Sequence, residues 1–200
     1  MKRVPLSRGV QRGMALVTSL LLLVIITLLG MGMFKSFGTQ EKIAGNMREK
    51  DRALHAAESA QQYAEWWLTT PNATAVVPAV CPAGVLDARL GQGQICSNWL
   101  DRDLGLNVAT VPWLLGGAPI GVKFQSLGML TTGQTGSSVN DTMTYAGVPT
   151  FYIADMGPAA DAQGEAYKID AYGYGGTTGT VAVVESTYEV QQGVVNRGGP

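Results

Sequence analysis

Histidine and cysteine are scarce in this sequence of 200 residues, which has one histidine, His55, and two cysteines, Cys81 and Cys96. A single imidazole removes most Ser/His and Cys/His catalytic schemes, and these three side chains make a poor metal set. The sequence also lacks a G-x-S-x-G elbow, an H-E-x-x-H pair, a P-loop and a Rossmann fingerprint. We therefore expect neither catalysis nor a cofactor, and we interpret His55 as a partly exposed helix residue.

Acidic residues are absent from the start of the chain. Four basic residues, Lys2, Arg3, Arg8 and Arg12, precede an uncharged apolar run from Met14 to Phe34. About 20 apolar residues in a helix match a hydrocarbon core about 30 Å thick. The positive-inside bias keeps the N-terminus in the cytoplasm and sends the remainder outward. We expect one membrane span with an external domain.

A secretory cleavage site is missing as well. An ordinary secretory signal has a shorter apolar region followed by small residues at a cleavage site. The end of this apolar run, Met33–Phe37, offers no such site. A small residue stands instead at the cytoplasmic side, where Gly13 precedes Met14. A cut after Gly13 would remove residues 1–13 as a leader and leave the helix attached to the domain.

The segments Arg12–Val17, Ile43–Asn46 and Ala56–Ala60 resemble the N-terminal region of type IV prepilins, and most closely that of PilX-type minor pilins. The resemblance implies that a prepilin peptidase cuts after Gly13 and methylates Met14. It also implies an inner-membrane precursor with a periplasmic domain, which later enters a pilus at the cell surface.

Glutamate is missing from the fifth position after the cleavage site, where this sequence has Thr18. The resemblance implies that this glutamate usually pairs with the N-terminal amine of a neighbouring subunit. A subunit without it can occupy the membrane without that neighbour, which favours a tip or initiating position. Alternatively, Thr18 is a tolerated polar residue that bonds to its own helix backbone.

The resemblance implies a minor pilin that primes type IV pilus assembly at or near the tip and supports adhesion and twitching motility. Its implied partners are other minor pilins, the major pilin, a PilY-type tip adhesin, the prepilin peptidase and the inner-membrane assembly platform. Nothing basic enough follows the leader to suggest nucleic acid. Two alternatives remain open: a minor pseudopilin of a type II secretion system, and a signal-anchored periplasmic binding protein that keeps its leader.

Residues 35–68 continue the helix of residues 14–34 with amphipathic spacing. Pro71 makes continuation past Leu68 improbable. The predicted apolar stripe consists of Ile43, Met47, Leu54, Ala57, Ala60, Ala64, Trp67 and Leu68.

Residues 69–121 are rich in Pro, Gly, Ala and Asn, which is typical of a long connecting loop, apart from a possible short helix at 98–104. Cys81 and Cys96 lie in this region, and an oxidising compartment favours a disulfide between them. Asn98, Asp101 and Asp103 could offer oxygen ligands to calcium, but their spacing favours a solvated loop.

Residues 122–200 form the predicted sheet region, with candidate strands at 122–127, 150–155, 167–174 and 180–190. Gly173–Gly179 predicts a hairpin connection and lacks the lysine and helix of a phosphate cradle. Val184, Tyr188 and Val190 share one strand face. We predict a pilin-like α+β fold with an antiparallel sheet whose second face is solvated. Four tryptophans are candidates for either core or partner contacts: Trp66, Trp67, Trp99 and Trp113.

Overall fold

The computed structural model describes residues 12–132, 134, 144–160 and 164–191. The chain divides into two compact units, Met1–Asn46 and Met47–Pro200. Both contain part of one helix, α1, which runs from Arg12 to Leu68. The first unit is otherwise outside the described residues, and the second carries the remaining elements.

Helix α1 ends at Leu68, as the sequence predicts. The N–H groups of Thr69 and Thr70 donate to the carbonyls of Trp66 and Trp67 at 3.0 and 2.9 Å, which closes the last turn. A second helix, α2 (Pro71–Thr74), begins at once with proline at its first position, where a missing N–H costs nothing.

The sheet of the second unit combines strands from both halves of the region after α2. Its strands are β1 (Gly84–Asp87), β2 (Leu114–Leu115), β3 (Ala118–Lys123), β4 (Thr150–Pro158), β5 (Gly164–Tyr174) and β6 (Val181–Gln191). A 3-10 turn covers Ala88–Leu90. The strand order is β1-β3-β4-β5-β6, with β2 paired to β3.

The predicted α+β class is confirmed, and β5 and β6 are antiparallel neighbours as expected. The sheet is mixed rather than purely antiparallel, because β1 pairs in parallel with β3. Residues 69–121 are therefore more than a connecting loop, since they supply β1, β2 and the start of β3. The predicted helix at 98–104 is a single turn, in which the N–H groups of Asp103 and Leu104 both donate to the Trp99 carbonyl. Gly105 follows with φ of 63° and ends that turn.

Both faces of the sheet are covered, which corrects the prediction of a solvated second face. On one face, Phe151, Ile153 and Ile169 pack with alanines and Trp67 of α1, and Val184, Tyr188 and Val190 join them as predicted. On the other, Tyr152 and Tyr172 pack with Trp113, Leu100 and the two cysteines. Cys96, Leu100 and Trp113 lie in the segment between β1 and β3, and Cys81 lies just before β1, so the segments flanking β1 form a third layer.

The buried stripe of α1 within the second unit consists mainly of alanine. Its buried members are Ala53, Ala56, Ala57, Ala60, Ala64, Trp67 and Leu68. Within the second unit, the predicted stripe was wrong at Met47 and Leu54, which are exposed; Ile43 belongs to the first unit and is also exposed. Small side chains occupy these positions because the sheet lies close to the helix. A Cβ on Gly173 would be 2.5 Å from the Ala57 backbone nitrogen.

Candidate functional site

The apolar segment of α1 is the first candidate functional surface. Among the described residues, Met14–Leu68 is the helix long and apolar enough to cross a membrane, by length and composition. None of its most apolar window is buried. Large side chains such as Leu20, Ile26 and Phe34 are all exposed. Such a surface is stable only when lipid or other apolar helices cover it.

The predicted processing site lies at the beginning of this helix. Gly13 and Met14 belong to the first turn of α1, which begins at Arg12, and the Met14 side chain is exposed. Residues 1–11 of the predicted leader lie outside the described residues. Cleavage after Gly13 stays a prediction.

Thr18 directs its hydroxyl to its own helix. Its Oγ1 donates to the carbonyls of Met14 and Ala15, at 3.0 and 3.1 Å. This is the backbone hydrogen bond expected from the alternative interpretation of Thr18. The hydroxyl thus has partners without a neighbouring subunit, and a polar group so satisfied is tolerated in lipid.

The four tryptophans divide between core and surface. Trp67 and Trp113 are buried, and the indole N–H of Trp113 donates to the Val108 carbonyl at 2.9 Å. Trp99 is half-buried, with the Arg102 guanidinium over its ring at 4.3 Å. Trp66 is 58 % exposed. It is therefore the tryptophan with most surface to offer a partner.

The cysteines form a disulfide between Cys81 and Cys96. The N–H of Cys96 donates to the Ile153 carbonyl, and the Cys96 carbonyl accepts from the N–H of Asp155, both at 2.8 Å. The disulfide thus ties the third layer to strand β4.

The candidate calcium ligands have other partners. The Asn98 Oδ1 accepts hydrogen bonds from the Cys81 N–H and the Tyr152 hydroxyl. The Asp103 carboxylate accepts from the Trp99 N–H at 2.7 Å and from Arg102. Within residues 12–132, 134, 144–160 and 164–191, no group of three His, Cys, Asp or Glu residues is placed to hold a metal ion.

His55 lies on the exposed face of α1, and its Nδ1 is 3.2 Å from the Glu58 carboxylate. The glycine-rich connection is hydrogen-bonded to α1. The Gly176 N–H donates to Oε2 of Glu49 at 2.6 Å, and Arg52 donates to Oε1 of the same carboxylate at 2.9 Å. Burial raises the pKa of Glu49, but these donors lower it by more, so its pKa lies below the ordinary value.

One cluster of charged side chains was not predicted from the sequence. Lys168 and Asp170 are both buried on β5, on the face away from α1. Lys168 Nζ lies 3.1 Å from Glu185 and 3.3 Å from Asp101. The signal was present, because two charged residues at i and i+2 on a strand share a face.

The family comparison concerns the same helix that carries the candidate site. Residues 12–61 match the family model described as PilX N-terminal. No curated protein and no solved structure matches the chain. The match indicates a type IV pilus minor pilin, a structural component of the pilus, and the apolar helix indicates membrane anchoring. Residues 12–61 thus match a PilX N-terminal domain, and the chain is consistent with a PilX-type type IV pilin.

Proposed function

We propose that this chain is a minor pilin that primes type IV pilus assembly and sits at or near the pilus tip, where it supports adhesion and twitching motility. The observation that carries the proposal is the PilX N-terminal match at residues 12–61, on a helix whose apolar surface is uncovered. The chain acts by packing, and it catalyses no reaction.

The membrane step follows from the surface of α1. The precursor is held in the inner membrane, with its N-terminus in the cytoplasm and its domain in the periplasm. Prepilin peptidase removes residues 1–13 and methylates Met14. Residues 14–34 then exchange lipid for the apolar helices of other subunits, so burial of their side chains is preserved during extraction.

A tip position is supported by Thr18. Threonine stands where the resemblance implies a glutamate, so the span has no ionised group at this depth that needs a neighbouring amine. The subunit can therefore wait in the membrane before other pilins arrive. Its proposed partners are the assembly platform, other minor pilins, the major pilin and a PilY-type tip adhesin.

The processing step is tested by a pair of glycine variants in the leader. Gly13→Val places a branched side chain at the proposed cleavage position, and Gly9→Val makes the same change four residues earlier. Gly13→Val should keep the leader, whereas Gly9→Val should lose it. Intact-mass measurement of the membrane-extracted proteins checks this. Loss of the leader from both variants would contradict cleavage after Gly13.

The priming role is tested by deleting the gene in cells whose pilus retraction is disabled. An initiator is needed each time assembly begins, so surface pili should fall sharply in number and return with the wild-type gene. Unchanged pilus numbers would contradict priming. Lost protein secretion with normal pili would instead favour a minor pseudopilin, and a retained leader would favour a signal-anchored periplasmic binding protein.

A further inference from the structure

Asp170 is an unusual carboxylate within the second unit. It is 1 % exposed, and neither of its oxygens has a hydrogen-bond partner in the described part of the chain. Lys168 Nζ is 3.9 Å from Oδ1, which is an ion-pair distance but too long for a hydrogen bond. A buried carboxylate with so little support is costly in its ionised form.

A second carboxylate lies directly opposite. In the register of β5 and β6, Asp170 pairs with Glu185. Directly opposed residues on one face of an antiparallel pair have Cβ atoms about 4.5–5.5 Å apart, and like charges there repel. When two carboxyl groups share a site, one of them keeps its proton to higher pH.

The other neighbours of Asp170 do not supply a second cation. On β4, the opposite residue is Tyr152, whose hydroxyl donates to the Asn98 carbonyl at 2.7 Å. The turn at 97–104 contributes Asp101, which takes part of the Lys168 charge, and Arg102, whose guanidinium pairs with Asp103. The Lys168 ammonium is therefore the counterion of three carboxylates. Those of Asp101 and Glu185 are partly solvated.

We propose that Asp170 and Glu185 share one proton and that the hydrogen bond it forms between them stabilises the pairing of the edge strand β6 with β5. In the protonated state, the Asp170 carboxyl donates a hydrogen bond to the Glu185 carboxylate, which leaves Lys168 to balance the remaining charge. At higher pH the proton passes to water, two adjacent carboxylates face one ammonium, and β6 opens more often.

The direction of the pH effect follows from the cause of the shift. Burial raises the pKa of Asp170 to about 7; Lys168 opposes this change, and the Glu185 charge adds to it. A carboxyl group with a raised pKa in the folded state binds more protons when folded than when unfolded. Its contribution to stability is present at low pH and is lost as pH rises through about 7.

Two measurements on the full chain in detergent micelles test this proposal. Carboxyl ¹³C resonances, assigned in the wild-type protein by through-bond correlation to the Asp170 backbone, report the titration directly. Hydrogen exchange of β6 amides, corrected for intrinsic rates, reports opening. For a folded-state pKa near 7 against an unfolded value near 3.9, opening should increase about tenfold between pH 6 and pH 8.

Asp170→Asn should remove this pH dependence, because the amide donates to Glu185 at every pH. Glu189→Gln removes another carboxylate of β6 that faces the same side, and it should leave the tenfold change intact. Wild-type Asp170 that stays ionised down to pH 5 overturns the proposal, even if the asparagine variant does not fold. Equal pH dependence in wild type and Asp170→Asn also overturns it. Neither result concerns the pilus role, which the leader and deletion experiments test separately.

Discussion

Gly173 of β5 lies so close to Ala57 of α1 that a Cβ on Gly173 would be 2.5 Å from the Ala57 backbone nitrogen. The same Cβ would be 2.7 Å from the Ala53 carbonyl oxygen. Glycine on the strand and alanine on the helix therefore set the separation of helix and sheet within the second unit.

Replacing Gly173 with alanine should destabilise the protein by about 1–3 kcal/mol, because the helix backbone cannot move aside as a flexible side chain can. Gly179→Ala is the matched control, since nothing lies within 4 Å of its Cβ position. Urea unfolding of both variants measures the difference. Equal stability of the two would contradict the close approach.

Glu49→Gln should weaken the attachment of the hairpin connection to α1 by about 1 kcal/mol, because the hydrogen bonds from Gly176 and Arg52 lose their charged acceptor. Because the pKa of Glu49 is lowered in the folded protein, its carboxylate stabilises the fold at pH values above its unfolded-state pKa. This stabilisation is lost as pH falls through the folded-state pKa. The variant should therefore flatten the acid limb of thermal stability below about pH 5. An acid limb of the same slope in wild type and Glu49→Gln would contradict this prediction.

Reduction of the Cys81–Cys96 disulfide should lower the free energy of unfolding by about 3 kcal/mol, since it releases a loop with a sequence separation of 15 residues. Thermal unfolding with and without a reductant measures this. A variant with both cysteines changed to alanine should no longer respond to the reductant. If the reductant does not change the thermal unfolding of the wild type either, the disulfide does not form in the protein.

Trp66→Ala and Trp67→Ala should separate a surface role from a core role. Trp67 lies on α1 and is buried against the sheet, so its truncation should cost about 3–5 kcal/mol. Trp66 is exposed, so the same change should cost less than about 1 kcal/mol. If Trp66 contacts another subunit, Trp66→Ala should reduce surface pili although the variant protein remains folded. Pilus counts beside unfolding curves distinguish these outcomes.

Local signals in the sequence predicted the helix end and the antiparallel strands. Pro71 marks the end of α1, and alternation with a glycine-rich connection identifies β5 and β6. The parallel pairing of β1 with β3 depends on contacts between Gly84–Asp87 and Ile120–Lys123, which no local pattern specifies. The covered second face was missed for the same reason.

The candidate site was predictable to the extent that it depends on the first helix. Gly13 and Met14 could be named because they flank the start of the apolar run, and Thr18 because of the resemblance to type IV prepilins; their roles stay predictions. The Asp170–Glu185 pair was not predicted, because a register between two strands must be known before two carboxylates can be placed opposite each other.

The most direct test of the pilin proposal is the N-terminus of the protein extracted from native membranes. Mass spectrometry of the N-terminal peptide should find N-methylated Met14 as the first residue, followed by Ala15 and Leu16. A peptide that still begins at Met1, or a cut beyond the apolar run near Phe37, would contradict the account.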